Sequence, residues 1–289
     1  MPTLLPRNRK NINEPGNFVA IQSLDTFKKV FSDFTSKPTD VFVSTYPKSG
    51  TTWVIAMIDQ IKKCSDTDYV IQKGIVSGFQ RGSVPWIEAL ALESNPEGWA
   101  KSLACFEEMA DPRVFKTHSC LNMIPCVKDP KLIQVIRNPL DTFVSAWHHS
   151  CSKGKYQGSF DRFFERVVLN GLFQNGCWFE YHAEILKYMQ CNESNVMILL
   201  YENMKSDDGK LAIEKISKFL GFDCEINVGE ISKKCSFGSM KKQNNEHGFV
   251  NELIREKSDT VWSDNFGGTK KKFSNAHVRK GAVGDWAGA

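Results

Sequence analysis

The sequence contains no cysteine pattern that would bind zinc or build a dense disulfide framework. Its nine cysteines include no CxxC pair, and the two closest, Cys120 and Cys126, are not spaced like metal ligands. Scattered single cysteines are typical of a reducing compartment, where most of them are small buried apolar side chains. We therefore expect a cytoplasmic protein.

Long apolar runs and a secretory leader are missing as well. No apolar segment approaches the roughly 20 residues that cross a bilayer. The first residues, MPTLLPRNRKNINEPG, are polar and interrupted by prolines, unlike a signal peptide. We expect a soluble chain with no membrane partner.

A strong charge of either sign is also absent. The net charge is +4, and basic and acidic residues are interleaved, so no nucleic-acid partner is predicted. One basic cluster stands out, formed by Lys270, Lys271, Lys272, Arg279 and Lys280. Taken alone, this cluster fits a solvated loop as well as it fits an anion site.

The chain has no internal repeat and no low-complexity linker. We therefore predict a single domain over residues 1–289, in which residues 1–39 lie largely outside the motifs described below. Four short apolar runs bounded by turn residues are predicted strands: Asp40–Ser44, Arg113–Lys116, Leu132–Ile136 and Val196–Leu200. Helical periodicity follows these runs, which predicts an α/β fold with a central, mostly parallel sheet flanked by helices.

Several helix boundaries can be read from the sequence. Asn138 is predicted to cap the helix that follows the third strand. Apolar residues recur at helical spacing after Ser159, over Trp178–Met189 and over Lys210–Leu220, and Gly221 is predicted to end the last of these helices. Ligands of open α/β sheets bind beyond the carboxyl ends of the strands, so the residues after each strand are candidates for chemistry.

The stretch VSTYPKSGTTW, residues 43–53, joins the first strand to a helix through a turn rich in Pro, Gly, Ser and Thr. A helix start offers unpaired N–H groups, and Lys48 with the hydroxyls of Ser49, Thr51 and Thr52 adds charge and donors. These features predict a phosphate loop. A Walker A loop would have one glycine directly before its lysine and another five residues earlier. Both are absent, which argues against an ATP or GTP P-loop.

The other strand ends carry further candidates. Lys116 and His118 stand two residues apart at the end of the second strand, so they would project together. Arg137, which suits phosphate recognition, follows the third strand, with Ser145 in the next helix, and Tyr201 follows the fourth. In isolation each signal has a structural alternative: a surface lysine and a satisfied histidine, a helix-capping ion pair, and an aromatic ring that covers the sheet.

In combination these segments resemble the cytosolic sulfotransferase family. Tyr46–Trp53 resembles its 5′-phosphosulfate loop, Lys116-Thr117-His118 its catalytic triplet, and Arg137–Ser145 its 3′-phosphate segment. Further matching blocks follow in the family's order: Tyr201–Lys205, Lys215–Gly221, Cys235–Phe237 with Met240, and Arg279–Gly281 with Gly284–Trp286. The similarity runs from about residue 40 to the end of the chain, and it implies a P-loop-like nucleotide-binding fold.

The resemblance implies a sulfotransferase that uses 3′-phosphoadenosine 5′-phosphosulfate (PAPS) as donor and releases 3′-phosphoadenosine 5′-phosphate (PAP). The acceptor would be a hydroxyl or amine of a small molecule, and no metal is expected. The implied donor-binding residues are Lys48, Ser49, Gly50, Thr51, Thr52, Trp53, Arg137, Ser145, Tyr201, Cys235, Ser236, Phe237, Met240, Arg279, Lys280 and Gly281. Within this set Trp53, Tyr201 and Phe237 would surround the adenine.

Catalytic roles follow from the flow of charge in such a reaction. The acceptor hydroxyl loses its proton as it attacks sulfur, and His118 is the expected base. Lys48 is expected to stabilise the leaving group, and Lys116 to orient the sulfonate. By resemblance, Ser145 would hold Lys48 away until the acceptor is bound.

The acceptor pocket is expected in the divergent segments. Besides Lys116 and His118, the chosen candidates are Phe79, Trp86 within the stretch 84–88, Trp147 and His149, which has His148 beside it. Two departures from the family pattern bear on ligands. Ser119 and Cys120 follow the catalytic triplet, where the family commonly has a proline at the second position, so acceptor preference stays open. Cys235 replaces a common threonine, which would remove one hydroxyl contact to the nucleotide.

Two other functional classes share part of this pattern. A nucleotide kinase would need a Walker A lysine and a Mg²⁺-binding aspartate. A catalytically silent PAPS- or PAP-binding regulatory protein would keep the donor site without turnover.

The oligomeric state is open. The chain stops at Ala289, soon after Gly284–Trp286, where family members continue with a dimer motif. We therefore expect no dimer through that motif.

Overall fold

The computed structural model describes residues 32–65, 84–92, 96–121, 124, 129–152, 156–170, 173, 176–222, 225–247 and 280–288. These residues contain a four-stranded sheet in which all neighbouring strands are parallel, in the order β2-β1-β3-β4. The strands are β1 (Val41–Thr45), β2 (Val114–Thr117), β3 (Lys131–Ile136) and β4 (Val196–Leu200). The predicted mostly parallel sheet is confirmed, with boundaries that differ by one residue in β1, β2 and β3.

The helices lie on both faces of the sheet. In chain order they are α1 (Thr51–Ser65), α2 (Pro96–Glu107), α3 (Pro139–Ser152), α4 (Phe160–Phe163), α5 (Trp178–Cys191), α6 (Tyr201–Ser206), α7 (Lys210–Leu220), α8 (Val228–Lys234) and α9 (Phe237–His247). Short 3-10 helices span Ile87–Leu92, Glu193–Asn195 and Asp285–Gly288.

Local sequence signals account for two of the helix ends. The side-chain Oδ1 of Asn138 accepts a hydrogen bond from the backbone N–H of Leu140 at 2.9 Å, so Asn138 caps α3 as predicted. Helix α7 ends at Leu220, and Gly221 follows as its C-cap with a φ of +76°, in the left-handed region that favours glycine.

The helical segment after Ser159 is less regular than its periodicity indicates. The Oγ of Ser159 accepts from the N–H of Arg162 at 3.3 Å and starts α4. A π-helical turn, Phe164–Val168, then continues the helix. Its wider winding is seen in the bond from the N–H of Leu169 to the carbonyl of Phe164, 3.0 Å long.

Two apolar layers enclose the sheet, because successive strand residues point to opposite faces. The first layer is rich in aromatic side chains, among them Phe42, Phe115, Phe143 and Tyr181. The second is largely aliphatic and includes Val43, Ile58, Ile133 and Ile213. Helices therefore cover both faces of the sheet, as predicted for this fold class.

A buried ion pair closes the amino end of the sheet. Arg113 precedes β2 and is fully buried, and Asp40 precedes β1 and is 2% exposed. The guanidinium donates from Nε to Oδ1 and from Nη2 to Oδ2 of Asp40, each at 2.7 Å. It also donates to the carbonyls of Thr35 and Phe106, so both of its terminal nitrogens and its Nε have acceptors.

The order of the strands positions a crevice at the other end. The chain passes from β1 to β2 on one side, whereas β3 and β4 lie on the opposite side of β1. The strand order therefore reverses between β1 and β3. In open α/β sheets ligands bind beyond the carboxyl ends of the strands at such a point.

Candidate active site

The loop between β1 and α1 carries two residues with positive φ. Lys48 has a φ of +73° and Gly50 a φ of +111°. A Cβ atom on Gly50 would lie 2.7 Å from Cδ2 of Tyr201, so only glycine fits at this position without displacing the ring. The hydroxyl of Ser49 is buried and has no hydrogen-bond partner among the described residues. The loop therefore combines a tightly packed backbone with an unused polar atom.

Arg137 spans the crevice between the ends of β1 and β3. Its side chain donates from Nη1 to the carbonyl of Lys48 and from Nη2 to the carbonyl of Ala282, each at 3.1 Å. The guanidinium carbon lies 4.4 Å from the centre of the Tyr201 ring. Arg137 is 7% exposed, its Nε has no acceptor in the described part of the chain, and no described carboxylate forms an ion pair with it.

Aromatic rings line the same end of the sheet. Trp53 and Tyr201 pack edge to face with ring centres 5.9 Å apart, and the indole Nε1 of Trp53 is buried with no acceptor among the described residues. A Cβ on Gly281 would meet the ring of Phe237 at 2.6 Å. Of the predicted adenine-binding residues, Trp53 and Tyr201 therefore lie beside the loop, and Phe237 lies beside Gly281.

Segment 280–288 is fastened to the start of α3. The carboxylate of Asp141 accepts hydrogen bonds from the backbone N–H groups of Gly284 at 2.9 Å and Trp286 at 3.1 Å. Lys280 forms an ion pair with Asp285 inside the segment. This arrangement holds the predicted donor-site residues Lys280 and Gly281 beside the crevice.

A second group of residues lies at the edge of the sheet, on β2. Trp86 forms a parallel bridge with Lys116, and the N–H of Lys116 donates to the carbonyl of Pro85 at 2.8 Å. The ammonium of Lys116 lies 4.4 Å from the centre of the Trp86 ring, and the ring of His118 lies 5.8 Å from it. Lys116 and His118 thus face the same indole, as the strand spacing predicts.

The tautomer of His118 follows from its hydrogen bonds. Nδ1 lies 2.7 Å from the carbonyl oxygen of Thr45 and 3.3 Å from its hydroxyl. A carbonyl oxygen only accepts hydrogen bonds, so the ring proton is on Nδ1 and the lone pair is on Nε2. Thr45 in turn shares a hydrogen bond with the hydroxyl of Thr51 in the first turn of α1.

Burial and neighbouring charge change the pKa values at this edge. Burial, reinforced by the charge of Lys116, lowers the pKa of His118 to about 3. Burial also lowers the pKa of Lys116 to about 8, and the negative charge of Glu88 acts in the opposite direction. At neutral pH the edge therefore carries a neutral imidazole beside a charged ammonium.

Most of the remaining predicted site residues lie on helices or at helix ends. Ser145, Trp147 and His149 are on α3, and Trp147 donates from Nε1 to the carbonyl of Gly158 and packs against Phe160. The side chains of Cys235 and Met240 pack within the aliphatic layer, and the hydroxyl of Ser236 bonds with that of Ser239. Thr52 lies in the first turn of α1. Phe79, Arg279 and Lys270–Lys272 lie outside the described residues.

Three residues with contacts at the site were not among the predicted site residues. Asp141 was readable only as an acid in the first turn of a helix, and Thr45 only as the end of a strand. Glu88 lies in the predicted acceptor stretch, but its carboxylate accepts hydrogen bonds from the turn after β2, including one from the N–H of His118 at 2.7 Å. No local sequence pattern predicts these hydrogen bonds, because the two partners of each bond are distant in sequence.

The described residues were searched for metal-binding clusters and for membrane-spanning helices. There, no group of three or more His, Cys, Asp or Glu side chains could hold a metal ion. Within the same ranges, every helix is too short or too polar to span a bilayer. The expectation that no metal is used stays a prediction.

Comparisons with known proteins identify the family. A family model described as a sulfotransferase domain matches residues 38–288. The chain is 31% identical to dog sulfotransferase 1A1, over 88% of this chain and 79% of that protein. It is 29% identical to human sulfotransferase 1C2, over 94% of this chain and 84% of that protein. The chain therefore belongs to the sulfotransferase family, and its expected enzyme class is confirmed.

Solved structures agree on the fold. Mouse sulfotransferase SULT7A1 complexed with PAP is 24% identical, with a TM-score of 0.63, over 94% of this chain and 85% of that chain. An Arabidopsis thaliana putative steroid sulphotransferase is 27% identical, with a TM-score of 0.51, over 87% and 84% of the two chains. These similarities confirm the predicted P-loop-like α/β fold.

Proposed function

We propose that this sulfotransferase moves a sulfonate from PAPS to a hydroxyl or amine of a small molecule, by in-line attack with His118 as the base. The observation that carries the proposal is the contact between Nδ1 of His118 and the carbonyl of Thr45, 2.7 Å long. It puts the ring proton on Nδ1 and the basic lone pair on Nε2, the atom proposed to accept the acceptor proton. A base placed in this way typically accelerates a reaction by about 10²–10⁴-fold.

The donor site fits an anionic nucleotide. Buried polar atoms rarely lack partners in a folded protein, yet the Oγ of Ser49, the Nε of Arg137 and the Nε1 of Trp53 have none among the described residues. All three are donors near the predicted loop, which suits phosphate oxygens and a nucleobase. When bound, PAPS supplies the sulfonate and leaves as PAP. SULT7A1, which has the same fold, was solved with PAP.

The residues proposed to hold the donor are Lys48, Ser49–Trp53, Arg137, Ser145, Tyr201, Cys235–Phe237, Met240 and Arg279–Gly281. Arg137 is the strongest candidate for the 3′-phosphate, because it is buried without a carboxylate partner in the described part of the chain. Its fork of N–H donors matches phosphate geometry. Lys48 is assigned to the leaving phosphate, and Ser145 to holding Lys48 before the acceptor binds.

The acceptor would lie against Trp86, Lys116 and His118. The ammonium of Lys116 faces the Trp86 ring, and at neutral pH it provides a fixed positive charge for the sulfonate oxygens. Phe79, Trp147 and His149 complete the proposed pocket. A retinol dehydratase of similar fold was solved with retinol and with androsterone, at 22% and 21% identity. Those ligands support a small hydroxyl compound as the acceptor class.

Substitution of His118 by Ala tests this function. We expect kcat for sulfonate transfer to fall by about 10²–10⁴-fold, because the acceptor proton has no base. The affinity for PAP, measured by calorimetry, should stay within about twofold. Added imidazole should restore part of the turnover, which a purely structural role of His118 would not allow.

Two results would contradict the proposal. Retained turnover in His118→Ala would remove His118 as the base. Failure of the unsubstituted protein to sulfonate any member of a broad panel of phenols, alcohols and amines, despite tight PAP binding, would instead favour the catalytically silent alternative.

A further inference from the structure

One oxygen of a buried carboxylate organises the turn that follows β2. The Oε1 of Glu88 accepts hydrogen bonds from the hydroxyl of Thr117 at 2.6 Å and from the backbone N–H of His118 at 2.7 Å. It also accepts from the N–H of Ser119 at 2.9 Å and from its hydroxyl at 2.8 Å. Glu88 itself is 4% exposed. A single atom thus contacts three consecutive residues.

All four of these hydrogen bonds come from the turn 117–119. A buried carboxylate is costly unless it is hydrogen-bonded, so residues 117–119 are held tightly to Glu88. Ser119 supplies two of the four donors, and its hydroxyl also stands where the sequence departs from the family pattern after the catalytic triplet.

The imidazole of His118 is consequently held from two sides. Glu88 holds its backbone nitrogen, while the carbonyl of Thr45 on β1 holds its ring at Nδ1. The position of Nε2 depends on both contacts, because the backbone sets where the side chain begins and the ring contact sets its rotation. Loss of either contact would let Nε2 move.

Glu88 also faces the acceptor side of the site. It lies two residues after Trp86, in the 3-10 helix Ile87–Leu92. The Trp86 ring contacts both Lys116 and His118, and the charge of Glu88 raises the pKa of Lys116 against the effect of burial. The segment 86–88 therefore carries the Trp86 ring that would meet the acceptor, and through Glu88 it holds the turn that carries the base.

We infer that Glu88 is a positioning residue for sulfonate transfer, which holds the turn 117–119 so that Nε2 of His118 meets the acceptor proton, with Ser119 as an additional donor to the same carboxylate. The inference rests on the proposed role of His118. It assigns to Glu88 no contact with the donor or the acceptor.

The substitution Glu88→Gln tests the inference, since it keeps the shape of the side chain but removes the charge that strengthens all four hydrogen bonds to Oε1. Charge-assisted hydrogen bonds are roughly twice as strong as neutral ones. We expect kcat to fall by about 10- to 100-fold, because misplacement of a catalytic group by about 1 Å can cost 10²-fold. KM for the acceptor and the affinity for PAP should each change by less than about threefold. Glu165→Gln, at an exposed glutamate of the π-helical turn, is the matched control and should leave kcat unchanged.

A spectroscopic readout separates positioning from a loss of folded protein. The ¹⁵N spectrum of the imidazoles, with the His118 signals assigned from His118→Ala, should show the Nδ1–H form in the unsubstituted protein. In Glu88→Gln we expect these signals to shift or broaden, while the melting temperature changes by a few degrees at most. Unchanged kcat, or a loss of PAP affinity as large as the loss of kcat, would overturn the inference.

Two milder variants keep the inference testable if Glu88→Gln does not fold. Ser119→Ala and Thr117→Val each remove one hydroxyl donor, and each should lower kcat by about twofold to tenfold with PAP affinity unchanged. Full activity in both would overturn the inference. His118→Ala run in parallel distinguishes the two levels of failure: if it stays active, the proposed base is wrong, whereas an inactive His118→Ala with fully active Glu88 variants removes only the role of Glu88.

Discussion

Two buried arginines lie at opposite ends of the same sheet and differ in what they contact. Arg113, at the amino end, pairs with both oxygens of Asp40 and with two backbone carbonyls. Arg137, at the carboxyl end, donates only to carbonyls of Lys48 and Ala282, and no described carboxylate pairs with it. Both are less than one tenth exposed.

The difference helps to distinguish a buried charge that stabilises the fold from one that is suited to bind a ligand. A buried charge is retained when it is paired, because an unpaired charge carries a large desolvation cost. Arg113 has its partner within the fold. Arg137 has a fixed position, held by two carbonyls and by stacking on Tyr201, and no carboxylate among the described residues pairs with its charge. The first arginine stabilises the structure, whereas the second is suited to bind.

Paired alanine substitutions at these arginines have the largest expected effects. Arg137→Ala should weaken PAP binding by about 10²–10³-fold, because a buried charged donor to phosphate is lost. Arg113→Ala should lower the free energy of unfolding by about 3–5 kcal/mol, because Asp40 is left buried and unpaired. Calorimetry with PAP and denaturant titration measure the two quantities. The comparison fails if Arg137→Ala binds PAP normally, or if Arg113→Ala retains full stability.

A smaller effect is expected when the ring beneath Arg137 is displaced. In Gly50→Ala the new Cβ would meet the Tyr201 ring at 2.7 Å, and the backbone φ of +111° is strained for any other residue. Strain of about 1–3 kcal/mol corresponds to PAP binding that is roughly 10- to 100-fold weaker.

Gly221→Ala is the matched control, since Gly221 has a φ of +76° and nothing within 4 Å of its Cβ position. It should lower stability by about 1 kcal/mol and leave PAP affinity unchanged. Equal losses of affinity in both variants would mean that backbone strain, and not contact with Tyr201, is responsible.

A third cation near the site, Lys116, is partly buried, and its charge depends on pH. Burial lowers its pKa to about 8, so the ammonium is present below this pH and is lost above it. We expect kcat/KM to fall roughly tenfold per pH unit above about pH 8. His118, with its pKa lowered to about 3, stays neutral from pH 5 upward and adds no acidic limb in that range.

The pH profile is best measured with an aliphatic alcohol, whose hydroxyl does not ionise in this range. In Lys116→Arg the charge persists to higher pH, so the basic limb should move upward or disappear even if the maximal rate is lower. A limb that stays near pH 8 in this variant would assign it to another group.

The placement of the proposed donor residues at one end of the sheet was predictable because these residues come after strands. Lys48, Arg137 and Tyr201 each stand after an apolar run, and the parallel sheet brings those three positions to one edge. The pairing of Lys116 with His118 followed from the two-residue period of a strand. Local periodicity and the geometry of a parallel sheet were sufficient to predict which residues lie together at this end of the sheet.

The contacts that fix these residues were not predictable from local pattern. Glu88 and Ser119 are 31 positions apart, and Asp141 and Trp286 are 145 apart. Asp141 shows the difficulty, because an acid in the first turn of a helix is also what the helix dipole favours. Only the folded chain reveals that its carboxylate is occupied by another segment.

That contact has a consequence for the proposed donor site. Because Asp141 anchors the backbone of Gly284 and Trp286, Lys280 and Gly281 are tethered close to the crevice. The entropy of ordering the segment is therefore lost once, when the chain folds, and not again at every turnover.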